Sequence, residues 1–433
     1  MGDDRADLPA TSQADRPANR GEPRERILLL THRVPYPPDK GDRIRSYHLL
    51  EHLARLGRVD LAFPTTEPTS EATFAALRTL CRRVEAAPVS QAGRWARAAL
   101  SLVRGRSLTE GLFHSSGLHN LVGRWLRDTA YDAVVVFSSG VLPLVLGRVL
   151  DGRIIADLVD VDSQKWLDYA ARSSGLKAAL FRLEGRRVGA LERAVAGCRA
   201  VVLATEPEAD LYRAACPTAR VEAIPNGVDL DTFRPDPAVG ETGGCVFVGQ
   251  LDYRANVLGL EWFCREAWPL VRGLLPEATF RVVGRSPVAA VRRLADVPGI
   301  VVVGPVADVR PELAAARVVV VPLPVARGVQ NKVLEALAMG KAVVASPAAL
   351  NGLATQAGRD VLAAAAADDW RRAIAELWDD RERRGELGRA ARHYVESNHH
   401  WGTCLKRFDG LILDESGAHR SALGGRIDDR SPA

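Results

Sequence analysis

Residues 327–345, RGVQNKVLEALAMGKAVVA, bring a glycine, a cation and a carboxylate close together: Gly328, Lys332 and Glu335. They follow an apolar run, VVVVPLP (318–324), that reads as a buried parallel strand ending in a Pro turn. The stripe Val333, Leu334, Leu337 and Ala338 predicts a helix, and Gly340 stops it. A strand, a glycine loop and a helix N-terminus together present free N–H groups and a positive dipole end to an anion. Lys332 near the helix mouth suits a phosphate, and Glu335 one turn inside suits sugar hydroxyls. That combination suggests a nucleotide-sugar. Ordinary strand–helix packing satisfies the same residues, and the residues alone leave both readings open.

Other clusters carry weaker chemistry. His48-Leu-Leu-Glu51-His52 spells a zinc-peptidase pattern, with both histidines on one helical face and Glu51 as base. Its competing reading is the surface of an amphipathic helix buried through Leu49, Leu50, Leu53 and Leu56. Asp160 and Asp162 form the nearest approach to a divalent-metal pair, and no metal site is expected. The six cysteines (81, 198, 216, 245, 264, 404) show no CxxC spacing, which argues against a zinc ribbon or a disulfide framework. In PNGVD (225–229), Asn226 and Asp229 suit a structural turn in which Gly227 supplies a positive φ. The basic amphipathic stretch 94–108, RWARAALSLVRGRSL, suits either an anionic membrane surface or packing on its own domain.

Alternating strand and helix patterns must position these residues, and they predict an α/β fold with parallel sheets. In the first half, strands are expected at 26–30, 59–63, 131–137, 153–158 and 200–205, with a helix at 70–83 among those between them. A second set is expected at 245–251, 278–284, 299–304, 317–323 and 341–346, followed by one long helix over about 382–412. The expected organisation is a polar tail (1–24), a Rossmann-like acceptor domain (25–233), a linker (234–244), a Rossmann-like donor domain (245–395), a helix returning to the first domain (396–414) and a polar tail (415–433). Two such domains set their carboxyl-end loops across a cleft, which suits group transfer. Lys plus Arg total 58 against 53 Asp plus Glu, with the cations spread widely, so no nucleic-acid tract is indicated. Residues 133–150 are the nearest match to a membrane span, but Ser138, Ser139, Gly140 and Pro143 divide them. The tail lacks an apolar signal region, so the expected location is the cytoplasm, including the inner face of the membrane.

The PNGVD and NKVLEALAMGKAVVAS (331–346) segments resemble retaining glycosyltransferases of the GT-B fold, family 4. The opening LLLTHRVPYPPDKGDRIRSYHLLEHLA (28–54), LVDVDSQKW (158–166) and VGRSP (283–287) resemble the sugar transferases of exopolysaccharide and exosortase (PEP-CTERM) systems. The resemblance, over about 26–410, implies transfer from a nucleotide diphosphate-sugar to a glycan or polyprenyl-linked acceptor, with no cofactor. It places Gly41 in the glycine loop, Glu335 on the ribose, and Gly328, Val329, Gln330, Asn331 and Lys332 against the donor sugar and phosphates. Three departures stand out. The family's first glutamate is Arg327, its Gly-Arg pair is Gly249-Gln250 with Ala255 where a lysine is usual, and its first-domain histidine is absent beside Asp160 and Asp162. Arg254 and Arg285 are the expected replacement cations, with Lys332 and Arg254 as the catalytic pair. The alternative on the same fold is a sugar-binding protein that has lost catalysis.

Overall fold

Short runs rich in Val, Ile, Leu and Ala are buried on both faces, as central parallel strands require. The computed structural model describes residues 25–413 except 40, 67, 90–91, 149, 151, 237 and 242–243, so the tails expected at 1–24 and 415–433 lie outside the described residues. The first sheet contains β1 (Glu25–Thr31), β2 (Gly57–Thr65), β3 (Cys81–Pro88), β4 (Ala133–Phe137), β5 (Ile154–Val159), β6 (Ala200–Leu203) and β7 (Val221–Ala223). Its strand order is β3-β2-β1-β4-β5-β6-β7. The second contains β8 (Cys245–Val248), β9 (Phe280–Val283), β10 (Ile300–Gly304), β11 (Val318–Val321), β12 (Ala342–Ala345) and β13 (Leu362–Ala363), in the order β10-β9-β8-β11-β12-β13. All pairs are parallel. Both orders reverse direction beside the first strand, at β1/β4 and β8/β11, where loops beyond the strand ends form a crevice.

The helices that matter below are α1 (Gly41–Leu56), α2 (Arg94–Val103), α3 (Leu108–Phe113), α4 (Gly175–Ala194), α5 (Asn331–Ala338), α6 (Arg381–Asn398), α7 (Trp401–Leu405) and α8 (Arg407–Ile412). Two of the differences from the sequence pattern bear on the first sheet. The helix expected through residue 83 stops at Arg78, and β3 follows as an edge strand. Its apolar residues Cys81, Val84 and Ala87 fall three apart and so imitate a helical stripe. The helix expected over 382–412 breaks at His399 and His400, because buried His399 turns inward, donating through Nδ1 to Asn226 O and pairing through Nε2 with Tyr394 Oη. Trp401, Leu405, Phe408, Leu411 and Ile412 then enter the core of the first sheet. Among the described residues no helix is long and apolar enough to cross a membrane.

The glycine of the PNG turn is needed for contact, since positive φ is absent there. A side chain on Gly227 would strike the ring of Trp401, and Gly227 is not among the glycines of positive φ. Asn226 beside it does more than turn the chain. Arg45 of α1 is fully buried and donates to both carboxylate oxygens of Asp157 (3.0 and 3.2 Å), to Ile224 O (2.9 Å) and to Asn226 Oδ1 (3.0 Å). Asn226 Nδ2 donates onward to Asn331 Oδ1 (3.1 Å), the first residue of α5 in the second domain. Burial pushes the Asp157 carboxyl up, and Arg45 pulls against that rise. Arg45→Ala would leave Asp157 as a buried charge without its partner. It is expected to cost about 3–5 kcal/mol of stability, read as a lower urea midpoint of the first unfolding transition. An unchanged midpoint would show that the pair adds nothing net.

Candidate active site in the interdomain cleft

The loop between β11 and α5 carries most of the candidate residues. Gly328 sits at φ +62°, and a side chain there would collide with the Asp160 carboxylate from the end of β5. Glycine is therefore required twice over, once for the left-handed backbone and once for the approach of the two domains. Val329 faces inward and joins the second domain's core. Gln330 donates through Nε2 to Arg327 O (3.1 Å) and to Gly328 O (3.4 Å), which fixes the loop ahead of the helix. Asn331 opens α5 and is held by Asn226. Gly41 begins α1 across the cleft, and the position of its missing side chain lies 3.6 Å from Asn331 Nδ2. The two glycine loops thus face one another over the N-terminus of α5.

Lys332 and Glu335 lie on successive turns of α5. The lysine ammonium donates to Asn256 Oδ1 (3.1 Å), reaches Gln330 Oε1 at 3.5 Å and stands 5.8 Å from the Phe247 ring centre. Asn256 is in turn held by Gln250 O (2.7 Å). Gly249 makes this possible, because a side chain on it would lie 3.0 Å from Lys332 Cε and 3.1 Å from Asn256 Nδ2. Burial lowers the Lys332 pKa to about 8, against the attraction of Glu335. Burial likewise pushes the Glu335 carboxyl up to about 7, opposed by Lys332. No hydrogen bond to the Glu335 carboxylate is present among the described residues. A low-dielectric site with a cation and an unsatisfied carboxylate a turn apart can bind a group that is anionic at one end and hydroxylated at the other.

The arginines are placed differently from one another. Arg285 pairs with Asp39 in the glycine loop (2.6 Å) and is half exposed. Arg254 lies over the Tyr169 ring, 5.8 Å from its centre. Arg327 is committed to two first-domain carboxylates, Asp168 (2.7 Å from Nε) and Glu208 (2.8 Å from Nη1). Glu208 also accepts from Val161 N (2.7 Å), so Arg327 is fastened to the loop that carries Asp160. Asp160 Oδ1 is buried with no hydrogen-bond partner among the described residues. Burial and the charges of Glu208 and Asp162 push its carboxyl up to about 7.

The zinc-peptidase reading finds its residues split between partners. His48 Nδ1 meets Glu51 (2.9 Å) and the ring stacks on Trp401, while His52 Nε2 meets Asp409 (2.7 Å). Asp162 accepts from Ser139 (2.5 Å). Among the described residues, no three His, Cys, Asp or Glu side chains are grouped to hold a metal. Sequence reasoning passed over Asn256, Asp168 and Glu208. Asn256 was within reach, since it directly follows the Ala255 that stands where a lysine is usual. The two carboxylates come from helices that nothing local links to Arg327. Arg327→Glu would put a third carboxylate beside Asp168 and Glu208 and break the pair that joins the domains. Small-angle scattering of the ligand-free variant is expected to show a larger radius of gyration than the wild type. Identical profiles would show that this pair does not hold the cleft.

Residues 243–380 match the family model described as glycosyl transferases group 1. A search of curated protein sequences finds no match. Among solved structures, sucrose-phosphate synthase from Thermosynechococcus elongatus is similar with a TM-score of 0.66 and 17% identity, covering 93% of this chain and 100% of that one. HepE of Anabaena, solved in complex with UDP and glucose, gives 0.62 and 13%, covering 90% and 100%. WaaG, a glycosyltransferase involved in lipopolysaccharide biosynthesis, gives 0.60 and 17%, covering 89% and 99%. At these identities the likeness speaks to the fold, and the group 1 match lies in the domain that carries Lys332 and Glu335. The chain has the two-domain GT-B fold, and its second domain matches glycosyl transferases group 1.

Proposed function

We propose that the chain moves a sugar, with retention of configuration, from a nucleotide diphosphate-sugar to a lipid-linked exopolysaccharide precursor on the cytoplasmic side. The observation that carries the reading is the pair on α5, a desolvated lysine and a carboxylate with no side-chain hydrogen bond among the described residues, just behind the Asn331 that meets the Gly41 loop across the cleft. Structures similar in fold have been solved with UDP and with UDP-glucose, which supports a donor of this class. Glu335 would accept from the ribose hydroxyls. The N-terminus of α5, the amides of Gly328 to Asn331 and Lys332 would meet the diphosphate.

As the bond from sugar to phosphate breaks, negative charge builds on the leaving diphosphate. Preorganised N–H groups and a buried cation stabilise that charge most where water is excluded. The acceptor hydroxyl attacks from the same face, and the departing phosphate oxygen takes its proton. This route needs neither a protein nucleophile nor a metal ion, and Arg327 stays outside it. The second reading, a fold that has kept sugar binding and lost catalysis, draws on that same engagement of Arg327 with Asp168 and Glu208.

Screening the purified protein for hydrolysis of a panel of nucleotide-sugars tests the proposal directly, and no turnover with any donor would favour the second reading. Glu335→Ala is expected to lose about 2–4 kcal/mol of donor binding by calorimetry. Unaltered affinity would remove Glu335 from the site. Lys332→Ala is expected to lower kcat and kcat/KM together by about 10²-fold. A normal kcat would put the phosphate cation elsewhere.

The pH dependence follows from the same two groups. Glu335 must be ionised, which happens as pH rises through about 7, and Lys332 must be protonated, which is lost as pH rises through about 8. kcat/KM is therefore expected to form a narrow bell between those values. A profile flat from about pH 6 to about 9, one unit beyond each pKa, would rule out their joint role. Activity is also expected to survive EDTA, and restoration by Mn²⁺ after chelation would reverse the metal-free account.

A further inference from the structure

Helix α2 is packed inside out. Its buried residues are the small ones, Ala98 and Ser101, while Trp95 is 65% exposed, Leu100 46% and Val103 85%. The reason lies in α3. A side chain on Gly111 would meet Ala98 Cα at 2.6 Å and Arg97 O at 2.8 Å, so the two helices touch backbone to backbone. With its small face turned to the domain, α2 leaves Trp95, Leu100 and Val103 in solvent. Helix α4 continues the pattern. Leu176, Leu180 and Leu183 form one stripe, exposed by 91%, 39% and 38%. Arg187, one turn further, donates to Leu102 O (2.8 Å) and Arg106 O (2.7 Å), which joins that stripe to the C-terminal end of α2. Glu184 of α4 caps α3 through Leu108 N (2.6 Å) and Thr109 N (2.8 Å), so the three helices are fixed together.

The charge on this surface has one sign. Both acidic residues of α4, Glu184 and Glu192, are buried, and α2 contains none. The exposed charges are Arg94, Arg104 and Arg106 on or beside α2 and Lys177, Arg182 and Arg186 on α4. A contiguous apolar surface needs an explanation where scattered exposed residues do not. Apolar side chains with a Trp, set among long cations whose heads stay in water, match the boundary between headgroups and acyl chains. A protein partner would more often meet both signs of charge.

We infer that the α2–α4 face of the first domain seats on an anionic lipid surface. The inference stands independently of the transfer chemistry, since it uses no residue of the cleft. Where it joins the transferase reading, it gives the acceptor a route. A cavity of about 300 Å³ opens beside α2, with Leu100, Arg104, Arg106, Phe113 and Val141 in its wall. Its lining is largely apolar and cationic apart from Glu110, whose carboxylate accepts from Ser107 N, and it fits an amphiphile with an anionic head. Gly140, also in the wall, adjoins Ser139, which donates to Asp162 near the cleft.

Co-sedimentation of the full chain with phosphatidylcholine–phosphatidylglycerol vesicles, against pure phosphatidylcholine, tests the inference. Binding is expected only to the anionic vesicles and is expected to weaken as salt rises. Val103→Asp with Leu176→Asp, both at exposed positions, is expected to cut partitioning by at least about tenfold while the far-UV spectrum and melting point stay those of the wild type. Arg104→Glu with Arg106→Glu is expected to do the same. Glu335→Ala is expected to bind vesicles normally, so a failed transferase assay and a failed vesicle assay are separate results. Wild-type protein that stays in the supernatant overturns the inference, as do variants that sediment like the wild type. A dimer in analytical ultracentrifugation that the Asp variants dissolve, without vesicle binding, would assign the face to a second copy of the chain instead.

Discussion

A fully buried arginine–aspartate pair organises the first domain's half of the cleft. Arg45 and Asp157 have almost no exposed surface, and removing two charges from water is costly unless geometry and further hydrogen bonds offset it. The arginine makes two bonds to the carboxylate and two more to Ile224 O and Asn226, the offset that burial demands. The pair therefore holds only while α1, the end of β5 and the segment after β7 are all in place. These three pieces carry the Gly41 loop, Asp160 and the turn that supports Asn331. The same interaction that stabilises the core sets the spacing of the residues that look across the cleft.

The cleft itself separates its charges between the domains in an unusual way. The second domain offers Lys332 and Glu335 from one helix, both desolvated and both pushed toward neutrality. The first offers carboxylates, Asp160, Asp168 and Glu208, and two of these are taken up by Arg327. Where the resembling transferases carry a glutamate, this chain has a cation, and the partners of that cation lie on the opposite domain. The substitution thus converts a position expected to touch sugar into one that ties the domains together. Asp160 keeps an unpartnered oxygen beside Gly328, so a carboxylate still stands at the loop, although it comes from the other side.

Local features were legible in the sequence and distant ones were not. The two parallel sheets could be read because most strands are short apolar runs, whereas β3, with Arg82, Arg83 and Glu85 inside it, was not. The Gly328–Lys332–Glu335 group could be read because it spans only two helical turns. Arg45 lies 112 residues from Asp157 and 181 from Asn226, and no periodicity links positions so far apart. Arg327 lies 159 residues from Asp168, and the sequence suggested only that its charge faced the donor. The stretch 94–108 was correctly amphipathic, yet the direction of its faces depended on Gly111, a residue outside the helix. The break at His399 was hidden for a similar reason, since the acceptor that draws this histidine inward is the carbonyl of Asn226.

The return of the C-terminal segment has a consequence for the nascent chain. One face of the first sheet is covered by residues between Leu28 and Ala223, and the second domain's core by residues between Val228 and Val395. The other face of the first sheet needs Trp401, Leu405, Phe408, Leu411 and Ile412. Domains of a growing chain usually fold in the order in which they emerge from the ribosome. Here the domain made first is the one completed last. Until its final helices are synthesised, it carries an uncovered strip of apolar surface beside α1, while the domain made second already has every residue of its own interior.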